Sequence, residues 1–182
     1  MLDFFKTRNE MRRKAGEIYG VIVTRARVPD FYLALGVPDT PTGRYEMVVL
    51  HLILVLERLR ASGGEGSELS RLLVETFVAD MDDSLRELGT GDLSVPKKVR
   101  RAAAGLYERS LAYRSALEAA DEVGLARLLV AHVYGGSEHP GAASLARYAM
   151  AASSSLGTSG AVEPLALQCG FPPLAGPAGE AA

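Results

Sequence analysis

Tryptophan is absent from this 182-residue chain, and cysteine occurs once, at Cys169. A single thiol excludes an intramolecular disulfide, and no Cys/His cluster has the spacing of a zinc site. Also missing are GxxxxGK[ST], a GxGxxG following a strand, the nucleophile elbow GxSxG and the metalloprotease HExxH. The three histidines, His51, His132 and His139, form no nucleophile–base pair visible in the sequence. The chain therefore reads as non-enzymatic, with no catalytic residue, cofactor or metal assigned. An excess of positive charge is lacking as well. A net charge of -2 and a pI near 6.0 exclude a general nucleic-acid binder, DNA included.

No apolar run approaches the ~20 residues of a membrane-spanning helix. The most hydrophobic stretch is GRYEMVVLHLILVLERLR, Gly43 to Arg60, where nine of the ten residues from Met47 to Leu56 are apolar and His51 is the exception. Ten residues at ~1.5 Å each cover about half of a bilayer's hydrocarbon core, and Glu46 and Glu57 close the run. A helix apolar on nearly every face must be surrounded by others, which makes this the central helix of a bundle. His51 then reads as a core histidine satisfied by a hydrogen bond, with a haem or metal ligand as the alternative. The N-terminus lacks the uninterrupted apolar segment of a secretory signal. Its seven Lys/Arg against three acidic residues up to Arg27 suit a first helix with a solvated basic face, or one touching anionic lipid.

What is present is helical periodicity. Hydrophobic residues make up 48% of the chain, an ordinary globular content for one domain. From Ser67 to Gly89, leucines 69, 72, 73, 85 and 88 with Phe77 and Met81 form one stripe, with Ser67 as N-cap and Gly89 as stop. Ser94 can cap the next helix, with Pro96 in its first turn and Val99, Ala103, Leu106, Tyr113 and Leu117 on one face. Asp121 can cap another, ending at Gly135–Gly136, and a last, Ala-rich helix spans Gly141 to Leu156. The expected fold is all-α, a single-domain bundle of about six helices over residues 1–156. Residues 157–182, rich in Gly, Pro and Ala, read as a flexible tail. Val28 to Tyr45 holds at most a short helical turn near Phe31 to Leu35. Its LGVPDTPTGRYEM suits a structural lid and a recognition edge equally.

Two charged clusters invite chemistry. Asp80-Met81-Asp82-Asp83 could hold magnesium–diphosphate, since hard cations take carboxylate oxygens, but the chain has no second acidic motif. Structural pairing of these carboxylates is the simpler reading. Asp80 lies beside the apolar stripe and would need a donor or cationic partner if buried. The basic knot Lys97-Lys98-Val99-Arg100-Arg101 opens a helix, where partial positive charge already makes cations slightly unfavourable. A solvated face is the simpler reading of the knot, and a grip on phosphates of lipid or RNA is the alternative.

Tyr19 with the apolar run after it, Phe31-Tyr32, LGVPDTPTGRYEMVVLHL (Leu35 to Leu52), FVADMDDSLRELGTGDLSVPKKV (Phe77 to Val99) and the trio Tyr107, Arg109 and Tyr113 together carry a family pattern. Over roughly residues 15–135 the chain resembles the ubiquinol–cytochrome c chaperone family, the assembly factors of the cytochrome bc1 complex. It departs at Glu108, where members often carry glycine, and at His132, where they often carry asparagine. Mitochondrial members have a presequence and a membrane anchor, neither of which is visible here, so the likeness is to the bacterial form. The resemblance implies a non-enzymatic chaperone that binds newly made cytochrome b, in the cytoplasm or peripherally at the inner face of the bacterial inner membrane. It also implies two further partners, the ribosome and a second assembly factor. The candidate partner-binding residues are Tyr32, Asp39, Arg44, Asp82, Arg86, Asp92, Lys97 and Lys98. The alternatives are a carrier of haem or quinone around His51 and a magnesium-dependent enzyme using Asp80 to Asp83.

Overall fold

The Met47–Leu56 run forms the middle of a helix packed among four others. In this computed structural model, which describes residues 2–61, 64–87, 94–158 and 170–174, the helices are α1 (Leu2–Ala26), α2 (Pro29–Leu33), α3 (Pro41–Ala61), α4 (Gly64–Glu87), α5 (Val95–Glu118), α6 (Glu122–His132) and α7 (Gly141–Thr158). Six have 11 residues or more, and α2 is the short turn expected near Phe31. There is no strand among the described residues, and the all-α expectation holds. Helix α3 packs against α1, α4, α5 and α7. Met47, Val49, Leu50, Leu52, Ile53, Leu54 and Val55 are each at most 1% exposed, and only Val48 and Leu56 of the apolar run are half-buried rather than buried. No described helix is long and apolar enough to cross a membrane.

Helix ends follow local chemistry, with two departures from the sequence reading. Thr40 precedes Pro41, the first residue of α3, and its Oγ1 accepts from the Gly43 N–H at 3.1 Å, an N-cap bond. Asp121 caps α6 as expected, accepting from the Gly124 N–H at 2.8 Å. Helix α4, however, starts at Gly64 rather than at a Ser67 cap. Ser94 makes no side-chain cap bond to α5, because its backbone is already helical at φ -94°, ψ -23°. The expected stop at Gly89 lies outside the described residues.

The loop between α2 and α3 resolves into two halves. Leu35 and Val37 are buried, and the Leu35 carbonyl accepts from the Tyr134 hydroxyl at 2.9 Å. Gly36 has φ +64°, and a Cβ there would strike the His139 ring, so glycine is required twice over. Asp39 and Thr40 stand outside. The first half is structural and the second is surface.

His51 is fully buried. Its Nδ1–H donates to the Met47 carbonyl at 2.8 Å, which leaves Nε2 to accept from the Tyr148 hydroxyl at 2.9 Å. The Tyr148 oxygen in turn accepts from Arg25 Nε at 3.0 Å. Both ring nitrogens are engaged, so the core-histidine reading accounts for His51 without a bound group. Burial is the main cause that lowers its pKa to about 4, keeping the ring neutral. Part of the segment read as a flexible tail is docked here. Phe171 is 5% exposed, and its ring lies 5.3 Å from that of His51. Cys169 is outside the described residues.

Candidate docking surface

The exposed half of the α2–α3 loop borders a cleft of about 730 Å³ between α1, α3 and α4. One wall is Tyr19 of α1 with Arg27 in the turn after it, another Tyr45 and Val48 of α3, and the third Phe77 and Asp80 of α4. Asp80 does have the donor anticipated for it. The Tyr19 hydroxyl gives it a 2.7 Å hydrogen bond across 61 residues of sequence, although Asp80 itself is exposed rather than buried. Burial, and next the Asp80 carboxylate, raise the Tyr19 phenol far above its ordinary range. At the rim Arg44 Nε meets Asp39 Oδ1 at 2.6 Å, and this bond holds the Asp39 carboxyl below its usual pKa. The pair ties Asp39 to α3.

Arg27, Asp39 and Arg44 also line a smaller groove of about 330 Å³ with Pro29, Tyr32 and Leu33. Tyr32 is anchored by its hydroxyl to the Ala26 carbonyl at 2.8 Å, and Leu33 is 84% exposed. Three of the predicted residues, Tyr32, Asp39 and Arg44, thus share one surface. Asp82 and Arg86 form an ion pair one turn apart on α4, at 2.7 Å. With Asp80 bonded to Tyr19 and Asp82 to Arg86, neighbouring carboxylates of the acidic cluster are committed to different donors. Among the described residues no three His, Cys, Asp or Glu side chains converge as a metal site. Lys97 is exposed on the first turn of α5. Lys98 lines a separate cleft of about 510 Å³ with Tyr45, Arg101, Arg109 and His132. Asp92 lies outside the described residues.

Behind that cleft is a buried ion pair. Arg109 Nη2 donates to Glu46 Oε1 at 2.7 Å, with Glu46 5% and Arg109 17% exposed. Glu46 Oε2 and Arg109 Nε are buried without a hydrogen-bond partner among the described residues. Burial raises the Glu46 pKa against the pull of Arg109, and burial followed by Arg109 lowers that of His132. Gly105 makes room for the guanidinium, because a Cβ there would meet Arg109 Nη1.

A further surface was not anticipated. Between α3, α4 and α5 an apolar groove of about 520 Å³ is lined by Leu56, Val74, Ala103, Leu106 and Tyr107. Tyr107 is 67% and Leu111 47% exposed. They stand four residues apart, off the core stripe of α5, and that second stripe is the signal by which the sequence could have revealed it.

The described residues thus form an all-α bundle with charge-rimmed clefts and an exposed apolar groove. The chain belongs to the ubiquinol-cytochrome C chaperone family, whose sequence profile matches residues 33–161. That match reaches further along the C-terminal half than the 15–135 expected, taking in α7. Among solved structures the chain is similar to the Cbp3 homolog from Brucella abortus, at 36% identity and a TM-score of 0.80, over 92% of this chain and 93% of that one. Comparison with curated protein sequences returns no match.

Proposed function

We propose that this protein is an assembly chaperone of the cytochrome bc1 complex that binds newly synthesised cytochrome b and acts without catalysis. The observation that carries the reading is membership of the chaperone family across residues 33–161. The surface supports it physically. A client made of apolar helices is held by burial of non-polar area, at roughly 25 cal/mol per Å², and Tyr107, Leu111 and Leu33 offer such area at the surface. The charged rim of Asp39 and Arg44 supplies orientation.

Two further contacts belong to the same proposal. The cations Lys97, Lys98, Arg100 and Arg101 keep the protein near anionic lipid or the ribosome at the inner face of the membrane, and a second assembly factor shares the client. Reversing all four charges abolishes co-sedimentation with membranes or ribosomes; unchanged sedimentation removes that contact. The client itself is tested by affinity isolation of the tagged chain after a short pulse of labelled amino acids. Radiolabelled cytochrome b should appear in the first minutes and decline during the chase. Its absence at every time point would defeat the client assignment.

A further inference from the structure

The side chain that closes the core over His51 comes from beyond α7, from a short segment at Gly170 to Leu174. Residues 159–169 separate it from the end of α7. Its Phe171 ring packs edge-on against His51, with centroids 5.3 Å apart at 64°. The Arg25 guanidinium donates to the Pro172 carbonyl, and it also lies 5.6 Å from the centroid of Phe31 and 5.3 Å from that of Tyr148. Phe31 stands edge-on to both His51 (5.4 Å) and Tyr148 (5.0 Å). Side chains of α1, α2, α3 and α7 thus build one aromatic seat with a cation at its mouth.

Two features make the occupant resemble a bound ligand more than a piece of core. The seat recognises one ring and one backbone carbonyl, which any aromatic–proline segment supplies, and proline biases the residue before it towards an extended form. The seat also needs nothing from its occupant to satisfy its buried polar atoms. His51 is served by Met47 and Tyr148, and Tyr148 by Arg25, all within the bundle. When Phe171 leaves, the Arg25 donor released is only partly buried and can turn to water.

We propose that Arg25, Phe31, His51 and Tyr148 form a peptide-docking seat, held in the resting protein by its own Phe171–Pro172 and taken over by an aromatic–proline segment of the client. The seat is a property of this fold, and only the identity of the incoming segment rests on the chaperone reading.

The test uses the full chain carrying Phe171→Ala and a dye-labelled peptide, GFPPLAG, which copies residues 170–176. Fluorescence anisotropy should show the variant binding this peptide at least ~10-fold more tightly than the unaltered chain, because the tethered segment competes at a high effective concentration. Arg25→Gln in the same background should weaken binding, and the peptide GAPPLAG should bind neither protein. A folded variant that binds no better than the unaltered chain overturns the proposal and makes Phe171 ordinary core. A dimer of the unaltered chain that F171A abolishes overturns it differently, since the occupant would be a second copy. Should F171A fail to fold, hydrogen exchange in the unaltered chain decides. Amides of Phe171 and Leu174 that exchange at least ~10-fold faster when unlabelled GFPPLAG is added in excess support a replaceable occupant. Equal protection with and without the peptide overturns it. Because no client enters this assay, its failure leaves the assembly role standing. Failure of that role in cells would leave the seat standing in turn.

Discussion

Two buried polar groups project from α3, and they are finished differently. His51 faces α7 and has a partner on each ring nitrogen. Glu46 faces α5 and has one bond to Arg109, while Glu46 Oε2 and Arg109 Nε stay buried and unpartnered among the described residues. A satisfied network rigidifies its surroundings, whereas a half-satisfied pair keeps part of its desolvation penalty. The α7 side of the bundle is therefore the preformed side and the α5 side the yielding one. It is α5 that also carries the exposed Tyr107 and Leu111 and the cations from Lys97 to Arg101.

The comparison breaks most visibly at Arg109. Arg109→Met strands a buried carboxyl and should destabilise the protein by about 3–5 kcal/mol, less whatever protonation of Glu46 relieves. Pairing it with Glu46→Leu should recover most of the loss, since apolar replacement of a whole buried pair is often neutral. Urea denaturation of the two variants measures both. A double variant as unstable as the single one would mean the pair contributes net stability.

The two sites should also respond to pH with opposite sign. The folded pKa of His51 is depressed from 6.5 to about 4. The unfolded chain therefore binds the extra proton between those values, and stability falls as pH drops from 6.5 towards 4. The loss is about 3 kcal/mol at the low end, because each tenfold difference in proton affinity between the folded and unfolded chain is worth ~1.4 kcal/mol. Glu46 is raised above 4.5 by burial. Its protonated form is favoured in the fold, so its contribution is present below pH 4.5 and is lost as pH rises through the folded value. His51→Gln should flatten the limb between pH 6.5 and 4 while leaving the opposing Glu46 component. An unchanged limb would assign it to other groups.

The smallest effect on stability is expected at the rim of the cleft. Arg44→Ala removes an exposed pair with Asp39 and should leave the denaturation midpoint unmoved, since such pairs are screened by solvent. If the rim orients the client, the same variant lowers recovery of cytochrome b in affinity isolation. A shifted midpoint with normal recovery would make the pair structural.

How much of this was legible in the sequence depends on range. The position of α3 was readable because nine apolar residues in ten demand neighbours on nearly every face, and the Asp121 cap because it acts three residues away. Tyr32, Asp39 and Arg44 could be placed together because they lie within 13 residues of chain. The Tyr19–Asp80 and Glu46–Arg109 bonds span 61 and 63 residues, and no local pattern encodes which helix faces meet. The tail misled for a related reason. Its composition is that of a mobile segment, yet the Phe171 ring against His51 and the Arg25 bond to the Pro172 carbonyl dock Gly170 to Leu174.

The most direct test of the central claim is the reduced-minus-oxidised spectrum of membranes from a strain lacking this protein, scored for cytochromes b and c1 against total protein. An assembly chaperone predicts that both bc1 signals fall together while their transcripts stay level, and that the unaltered chain restores them. Normal b and c1 signals in the deletion strain would contradict it.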